Sequence, residues 1–551
     1  MKRLSIHLLL TFLFGFFVIY FFYAGLPYDF NADILRDEKA MNAVSYSQLF
    51  SYTMNPTTPA WFFYPRMEEL RPLMYVIHKF FFGTFPGNLF PVHCVVALAH
   101  GLLALTFFYI FYWITESKLL SWLLILLYAS FPTNGVMLAG YVSLEIQFLL
   151  SALELAGMAA LILLTSRTHQ SHAKKALLIL FWLGVTWLAI KWKSSEKILP
   201  FVYLAFLVMQ FQRVRQKVGA RLFALLIAVN ISMFVLAVPL KPVQPVHSKV
   251  LETNAFVQKE KQMTRFHLST FFSRTFSLPG EENPFLAVCL DESPASFTGN
   301  LGFFLGWFFW LGLILVGILR IRSLPGSLSK SLELRFHAMT LALFWFLAVV
   351  AGFGAGKFAT EVRYLNYAFV PSVVLIAFLI RLFQEILFRS SLSKKISTLV
   401  FSGMILFTAI QNYGFLSKWV GFYGGIQDAN FRTGKWIYQS IFQKEPHGMD
   451  LLRRHGELED RFTLVSWYDL KPDWFEQAKL KLQEEEVLFV KSRGAPDEKL
   501  DRFRKEGFRV EPVAHFSFYD AKPLFFKLSK FLVESRLKKF KDLQVALYKI
   551  T

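Results

Sequence analysis

Residues 5–24, SIHLLLTFLFGFFVIYFFYA, contain no lysine, arginine, aspartate or glutamate. A helix of about 20 apolar residues crosses the hydrocarbon core of a bilayer, which is about 30 Å thick. The stretch follows Lys2 and Arg3 and is longer than the apolar core of a typical signal peptide. It therefore predicts a retained first transmembrane helix, with a cleaved signal peptide as the alternative.

The rest of the chain is similarly apolar. Of its 551 residues, 54% are hydrophobic and 17% aromatic, and the mean hydropathy is +0.41. This composition predicts an α-helical polytopic membrane protein with about eleven transmembrane helices. The apolar runs of near-spanning length are 5–24, 89–113, 119–138, 142–165, 176–192, 198–211, 219–239, 301–319, 337–355, 364–383 and 396–414. Segment 73–86 is too short and interrupted to span, and we expect it at the membrane interface.

Charge predicts the orientation of these helices. Lysine and arginine exceed the acids by 59 − 39 = +20. With a cytoplasmic N-terminus, the predicted cytoplasmic loops lie near 114–118, 166–175, 212–221, 320–336 and 384–395. Every substantial one is basic and holds few acids, as the positive-inside rule requires. Their cations are Arg167, Lys174, Lys175, Arg213, Arg215, Lys217, Arg221, Arg320, Arg322, Lys330, Arg335, Arg389, Lys394 and Lys395. This assignment accounts for the positive charge without a nucleic-acid partner, and it places loops 25–88 and 240–300 outside.

The C-terminal tail has a different composition, with charged and apolar residues mixed. We therefore expect two parts: a transmembrane domain over 1–419 and a small outer α/β domain over 420–551. RFTLVSW, EEVLFVKS and LQVALYKI predict strands, while 431–443 and 498–506 predict amphipathic helices. Cys94 and Cys289 are the two cysteines of the sequence, which excludes a disulfide framework and a CxxC site.

The first outer loop concentrates acids next to the membrane. Asp29, Asp33 and Asp37 follow the first span closely, and such a cluster suits a catalytic base or a metal site. A solvated loop is the alternative. Ile34, Met41, Val44 and Leu49 predict a short helix over 33–50 with Asp33 at its N-terminal end, where the helix dipole keeps a carboxylate ionised.

Two further stretches place cations on the outer face, against the positive-inside rule. One is Lys191-Trp192-Lys193-Ser194-Ser195-Glu196-Lys197, and the other is Gly356-Lys357-Phe358-Ala359-Thr360-Glu361-Val362-Arg363-Tyr364. Lysine and arginine there suit a membrane-anchored phosphate. Snorkelling lysines in the first stretch, and an internal Glu361–Arg363 pair in the second, are the alternatives.

Two histidines share one predicted helix. His93 and His100 are seven residues apart and so lie on one face, but metal ligation favours a spacing of three or four. We expect them to pack between helices and predict no protein-held metal site. The sequence also lacks a Walker motif, a GxSxG elbow and an HExxH motif, which argues against a nucleotide-driven pump.

Taken in order, these motifs resemble the GT-C superfamily of membrane glycosyltransferases. The layout is similar to the protein O-mannosyltransferase relatives whose transmembrane spans precede helical repeats, although here the α/β tail replaces the repeats. The resemblance covers about residues 1–383. It rests on Asp33, Arg71-Pro72-Leu73, Val92-His93 with His100, Lys193 seven before Pro200, Glu361 with Arg363-Tyr364, and Pro371-Ser372.

The sequence also departs from the family pattern at several positions. These are the single acid in Asn31-Ala32-Asp33, Ser194 in place of a glutamate with Glu196 two residues on, Val96 in place of an asparagine, Phe131 in place of a histidine, and a longer Arg363-to-Pro371 interval.

The resemblance implies inverting transfer of a sugar from a polyprenyl-phosphate donor to a hydroxyl of a protein, glycan or lipid. Asp33 would be the general base, with Asp29 and Asp37 as the next candidates. Lys193, Arg363, Lys197 and Arg71 would bind the donor phosphate, supported by Glu196, Glu361, Tyr364, His93 and His100. No cofactor is required, although a divalent cation is compatible with the acidic loop.

Two other functions remain open from the sequence. A flippase or transporter of lipid-linked saccharides would carry ionisable residues inside spans, and Glu145 and Glu154 are the main examples here. An inactive scaffold with a partner-binding outer domain would fit the single acid at Asp33. Because the predicted outer segments lack an Asn-x-Ser/Thr acceptor, we expect a bacterial cytoplasmic membrane.

Overall fold

The computed structural model describes 17 parts of the chain. They are residues 2–23, 45–47, 72–85, 90–131, 147–166, 171–192, 198–237, 305–315, 330–354, 365–388, 390–410, 412, 436, 464–465, 488–493, 498–517 and 544–551. The predicted helix over 33–50 is described only at Ser45, Tyr46 and Ser47. The long outer loop 240–300 and the predicted domain boundary near 420 lie outside the described residues.

The described part is mostly helical, with one small sheet near the C-terminal end. The helices are α1 Lys2–Tyr23, α2 Pro72–Thr84, α3 Phe90–Thr115, α4 Lys118–Ala129, α5 Gln147–Ser166, α6 His172–Trp192, α7 Ile198–Met209, α8 Phe211–Val218, α9 Ala220–Ala237, α10 Leu305–Leu315, α11 Lys330–Gly354, α12 Leu365–Leu387, α13 Ser391–Ile410 and α14 Glu498–Lys505. The strands are β1 Leu464–Val465, β2 Leu488–Arg493, β3 Val510–Ser517 and β4 Gln544–Ile550.

Every predicted span overlaps an apolar helix. Five described segments are long and apolar enough to cross a membrane: Cys94–Thr115, His172–Trp192, Leu334–Ala351, Ala368–Ile386 and Ser391–Ile410. Shorter apolar helical segments occupy the other six positions, at Ile6–Phe17, Lys118–Ala129, Leu149–Thr165, Ile198–Met209, Ala220–Val235 and Leu305–Leu315. The structure thus confirms a helical protein with several candidate membrane spans.

Three of these helices begin earlier than the apolar runs predicted. α6 starts at His172, α11 at Lys330 and α13 at Ser391. Their first turns include basic residues that the hydropathy pattern had assigned to loops. Long cationic side chains can keep their charge in the headgroup region while their backbone is helical. The apolar run is therefore shorter than the helix that contains it.

α1 and α3 pack closely through small residues. A Cβ atom added at Gly15 would lie 2.8 Å from Cβ of Ala104, and one added at Gly101 would lie 3.0 Å from the ring of Phe12. Small residues let helix backbones approach in a membrane, where water does not drive apolar surfaces together. We call this contact, formed by Phe12, Gly15, Gly101 and Ala104, the α1–α3 seam.

α12 lies in the middle of the helix bundle, whereas α6 has an open apolar face. All residues from Ala368 to Ile380 of α12 are buried, and the helix packs on α3, α4 and α11. On α6, by contrast, Leu177 and Leu180 are about two-thirds exposed. Exposed leucines on a candidate span fit a lipid-facing surface. The surface of the helix bundle is therefore apolar like its core, unlike the surface of a soluble protein.

The sheet has the strand order β1-β2-β4-β3. β4 pairs antiparallel with both β2 and β3, and β1 adds parallel to β2. Leu500 and Phe503 of α14 pack with Ala546, Tyr548 and Ile550 of β4 into a small separate core. The predictions for this region overlap the observed elements. The predicted strands 461–467, 485–492 and 543–550 overlap β1, β2 and β4, and the predicted helix 498–506 overlaps α14.

β3 was missed by the sequence pattern. Its segment, Val510–Ser517, contains Glu511, Pro512 and His515, and the pairing register shifts between Pro512 and Ala514. Proline lacks a backbone donor and is confined to edge strands or bulges. β3 is at the edge of the described sheet, which explains why this segment can form a strand despite its weak strand pattern.

Candidate functional site

The relative direction of α1 and α3 places the start of the acidic loop. The rings of His7 and Phe108 are 6.0 Å apart, and Gly15, farther along α1, lies against Gly101, earlier on α3. The two helices are therefore antiparallel. The end of α1 at Tyr23 is consequently close to the beginning of α3 at Phe90.

One end of the bundle is marked by partly exposed ion pairs between helices. Glu116, between α3 and α4, accepts hydrogen bonds from Arg335 of α11 and from Nη2 of Arg381 of α12, the latter at 2.8 Å. Arg381 also pairs at 2.8 Å with Glu385, which pairs at 3.3 Å with Lys394 of α13. We call this the ion-pair end.

Two more helices finish at the ion-pair end. Thr165, next to the last residue of α5, lies 3.1 Å from Nε2 of His337, two residues after Arg335. The ring of Phe206, near the end of α7, is 4.7 Å from the ring of His337. Seven helix ends therefore meet here. They are the C-terminal ends of α3, α5, α7 and α12 and the N-terminal ends of α4, α11 and α13.

The opposite end, which we call the far end, is lined by stacked aromatic rings. Phe131, which follows α4, stacks on Phe369 in the second turn of α12 with ring centroids 3.5 Å apart. The ring of Tyr128 stacks on the rings of both Phe369 and His100, with centroid distances of 6.3 Å and 6.5 Å. Both members of this stack are apolar, so Phe131 contributes ring packing rather than a polar side chain at this end of the bundle.

The ends of α1 and α6 and the beginnings of α7 and α12, which are next to predicted site residues, lie at the far end. α1 leaves there toward Asp29, Asp33 and Asp37. α6 is joined to α5 by a short connection at the ion-pair end, so α6 ends, and α7 begins, at the far end. The connection between them carries Lys193, Glu196 and Lys197. α12 begins there after Glu361, Arg363 and Tyr364, and α2, which packs on α6, begins just after Arg71.

The side chains of these residues are outside the described part of the chain. Asp29, Asp33, Asp37, Arg71, Lys193, Glu196, Lys197, Glu361, Arg363 and Tyr364 all fall there. Their geometry therefore stays a prediction. What the structure adds is the position of the helices that carry them.

Of the two predicted histidines, His100 has a defined environment. It is buried, and its Nδ1 lies 2.8 Å from the carbonyl oxygen of Gly15, so this nitrogen donates a hydrogen bond across the α1–α3 seam. His93 lies in the first turn of α3. Within the described residues, no group of three or more His, Cys, Asp or Glu side chains could hold a metal ion.

Sequence analysis missed the Glu116 network. Glu116 has a positive φ of 57°, which is uncommon for a non-glycine residue. Burial opposes ionisation of its carboxyl group, but the hydrogen bonds and charges of Arg335 and Arg381 hold its pKa below the ordinary value of 4.5. The sequence did contain one sign of this network. Glu116 is a single acid between two apolar runs, on the side of the membrane where the loops are predicted to be basic.

Comparison of the chain with models of known protein families finds no match, and neither does comparison with curated protein sequences.

Proposed function

We propose that this chain is a GT-C-type glycosyltransferase that takes a sugar from a polyprenyl-phosphate donor. The observation that carries the proposal is the arrangement of the helix ends. The acidic loop and both outer cationic stretches continue from helices that end or begin at the far end. A base and phosphate-binding cations carried by these segments would be close enough to act on one substrate.

Inverting transfer assigns each group a task. Asp33 takes the proton from the acceptor hydroxyl as its oxygen attacks the anomeric carbon of the sugar. The bond from that carbon to the phosphate oxygen breaks, and polyprenyl phosphate leaves with the bonding electrons. Lys193 and Arg363 stabilise the negative charge that develops on the departing phosphate. Asp29 and Asp37 are alternative bases, and Lys197 and Arg71 are supporting cations.

The membrane setting fits such a donor. Its polyprenyl chain requires a lipid phase, while its phosphate and sugar require a polar boundary. We propose a multi-pass protein of the bacterial cytoplasmic membrane, with its far end and C-terminal sheet outside. The acceptor would be a hydroxyl of a protein, glycan or lipid.

Replacement of Asp33 tests the proposal. Purified protein in liposomes is given polyprenyl-phosphate hexoses with a radiolabelled sugar, and release of polyprenyl phosphate is followed together with incorporation of the label. Asp33→Asn keeps the shape of the side chain and removes its basicity, so the rate should fall about 10²–10⁴-fold. Asp37→Asn, which removes the same charge four residues later, should have a much smaller effect.

Two results would contradict this assignment. Wild-type activity of Asp33→Asn would move the base to Asp29, and equal activity of Asp29→Asn as well would end the enzyme hypothesis. An unchanged melting curve for each variant is the control for folding.

One observation favours a second function. Glu154 of α5 is 2% exposed, inside an apolar helix. An ionisable residue at such a position often marks a transport path. A flippase would move a fluorescent lipid-linked sugar between leaflets without releasing polyprenyl phosphate, and Glu154→Gln should then abolish movement. Movement unaffected by this substitution, or label transfer by the wild type, would exclude this function.

A further inference from the structure

The ion-pair end carries a second, unassigned surface on α8. This eight-residue helix, Phe211–Val218, joins the apolar helices α7 and α9. Both neighbouring helices are among the shorter apolar helical segments, and with these two helices in the membrane α8 lies at its boundary. Since α7 ends beside His337, that boundary is the one predicted to be cytoplasmic.

α8 has one buried apolar stripe, and most of its remaining surface is polar. Val214 is fully buried and Val218 is 8% exposed, and both belong to the main apolar core of the bundle. Gln210, one turn before Val214, is buried too. This i, i+4, i+8 stripe fastens α8 to the bundle, while Gln212, Arg215 and Gln216 are exposed.

The sequence of α8 and of the first turn of α9 is strongly basic. Arg213, Arg215, Lys217 and Arg221 fall within nine residues, and the sequence has no acid between Glu196 and Glu252. Arg215 and Arg221 are both exposed. No internal carboxylate on α7, α8 or α9 is therefore available to neutralise these charges.

An exposed aromatic ring accompanies the cations. Phe211 is 43% exposed, and its ring packs against the ring of Phe223 at 5.1 Å. The guanidinium carbon of Arg215 lies 5.6 Å from the centroid of the Phe211 ring. Met209, the last residue of α7, is 64% exposed. Apolar side chains facing lipid, with cations directly beside them, match the boundary between acyl chains and headgroups.

The turn after α8 keeps the cations together. Gly219 has φ +89°, and its N–H donates a 2.9 Å hydrogen bond to the carbonyl oxygen of Arg215. A side chain at this φ would be strained, so glycine allows the chain to turn at once into α9. Arg221, three residues after the end of α8, thereby lies in the first turn of α9.

We propose that α8 binds the phosphate headgroups of anionic phospholipids in the leaflet at the ion-pair end. The positive charges attract the phosphate groups, and the exposed Phe211 enters the acyl-chain region. This site goes beyond the proposed glycosyl transfer, because it lies at the opposite end of the bundle from the far end.

Native mass spectrometry of the full-length protein in mild detergent tests this site. Phosphatidylglycerol is titrated against phosphatidylcholine with the same acyl chains, and the lipid adducts that remain bound are counted. The wild type should retain phosphatidylglycerol preferentially. The variant R213Q/R215Q/K217Q should bind it about 100-fold more weakly, since each cation near an anionic surface contributes about five-fold.

A matched control removes the same charge elsewhere. Arg502, Arg504 and Lys505 on α14 are also exposed, and R502Q/R504Q/K505Q should leave phosphatidylglycerol binding unchanged. The charge-preserving variant R213K/R215K should keep most of the binding. If the triple variant on α8 does not fold, Arg215→Gln alone replaces it, with an expected loss of about five-fold.

Three outcomes would overturn the proposal. The first is wild-type binding of phosphatidylglycerol by the charge-removing variant, R213Q/R215Q/K217Q or Arg215→Gln. The second is equal retention of phosphatidylcholine. The third is full displacement of the lipid by inorganic phosphate but not by chloride at matched ionic strength, which would assign α8 to a soluble anion instead.

Discussion

Replacement of Glu116 by glutamine is the sharpest test of how the bundle is held at the ion-pair end. The substitution keeps the length of the side chain and removes one negative charge. In the wild type, that charge is shared by Arg335 and Arg381, which come from different helices. The variant should therefore loosen α11 and α12 relative to the α3–α4 connection.

The size of the effect follows from the exposure of the partners. The side chain of Arg335 is 9% exposed and that of Glu116 is 53% exposed. Breaking a fully buried pair costs about 3–5 kcal/mol, whereas a surface pair contributes about 0–1 kcal/mol. Because water reaches Glu116 but hardly reaches Arg335, we expect a loss of about 1–2 kcal/mol. Thermal stability should fall by a few degrees.

The pH dependence gives an independent readout. The pKa of Glu116 is lower in the folded protein than its ordinary value of 4.5. The stabilisation is therefore fully present above about pH 4.5 and is lost as the pH falls through the lowered pKa of the folded state. The difference in melting temperature between the wild type and Glu116→Gln should be largest near neutral pH and shrink in acid.

Melting curves of the detergent-purified variants, followed by intrinsic fluorescence, measure this effect. The control is Asp501→Asn, which removes one carboxylate from an exposed pair with Arg504 and should change stability by less than about 0.5 kcal/mol. Equal melting temperatures for Glu116→Gln and the wild type at neutral pH would refute the argument. So would a difference that grows as the pH is lowered from neutral through 4.5.

Two further predictions concern topology and packing. A cysteine at exposed position Ser47 should react with an impermeant maleimide in intact cells, and one at exposed position Ser171 should be protected; labelling at 171 would reverse the orientation. Gly15→Ala should destabilise the protein by about 1–3 kcal/mol, because its methyl group would meet Ala104. Gly184→Ala, which meets nothing within 4 Å, should be neutral or slightly stabilising, and equal melting curves for the two variants would contradict the close packing at Gly15.

The positions of the apolar helices could be predicted from the sequence. An uninterrupted apolar run has few alternatives to a helix that satisfies its own backbone in lipid. This is why helices were found at every predicted position, including the weak run at 198–211. Helix ends were harder to predict, because basic side chains such as those at the start of α11 do not stop a helix at the membrane boundary.

The contacts between helices could not be predicted in the same way. Glu116 and Arg335 are 219 residues apart in sequence, and hydropathy carries no information about their pairing. Hydropathy also gives no reason to pair His100 with Gly15. The predicted catalytic residues rest on resemblance, and the structure describes the helices beside them rather than their side chains.

The α1–α3 seam has a consequence for the order of biosynthesis. α3 is completed 115 − 23 = 92 residues after α1 ends. At about 5–20 residues per second, α1 then waits roughly 5–18 s in the bilayer or translocation channel before its partner exists. During that interval, the surface of α1 at Gly15 must face lipid or the channel wall. The carbonyl oxygen of Gly15, which later accepts the hydrogen bond from His100, faces the same surroundings. A bulky residue at Gly15 would leave insertion of α1 intact and stop the protein at the later stage, when the two helices first meet.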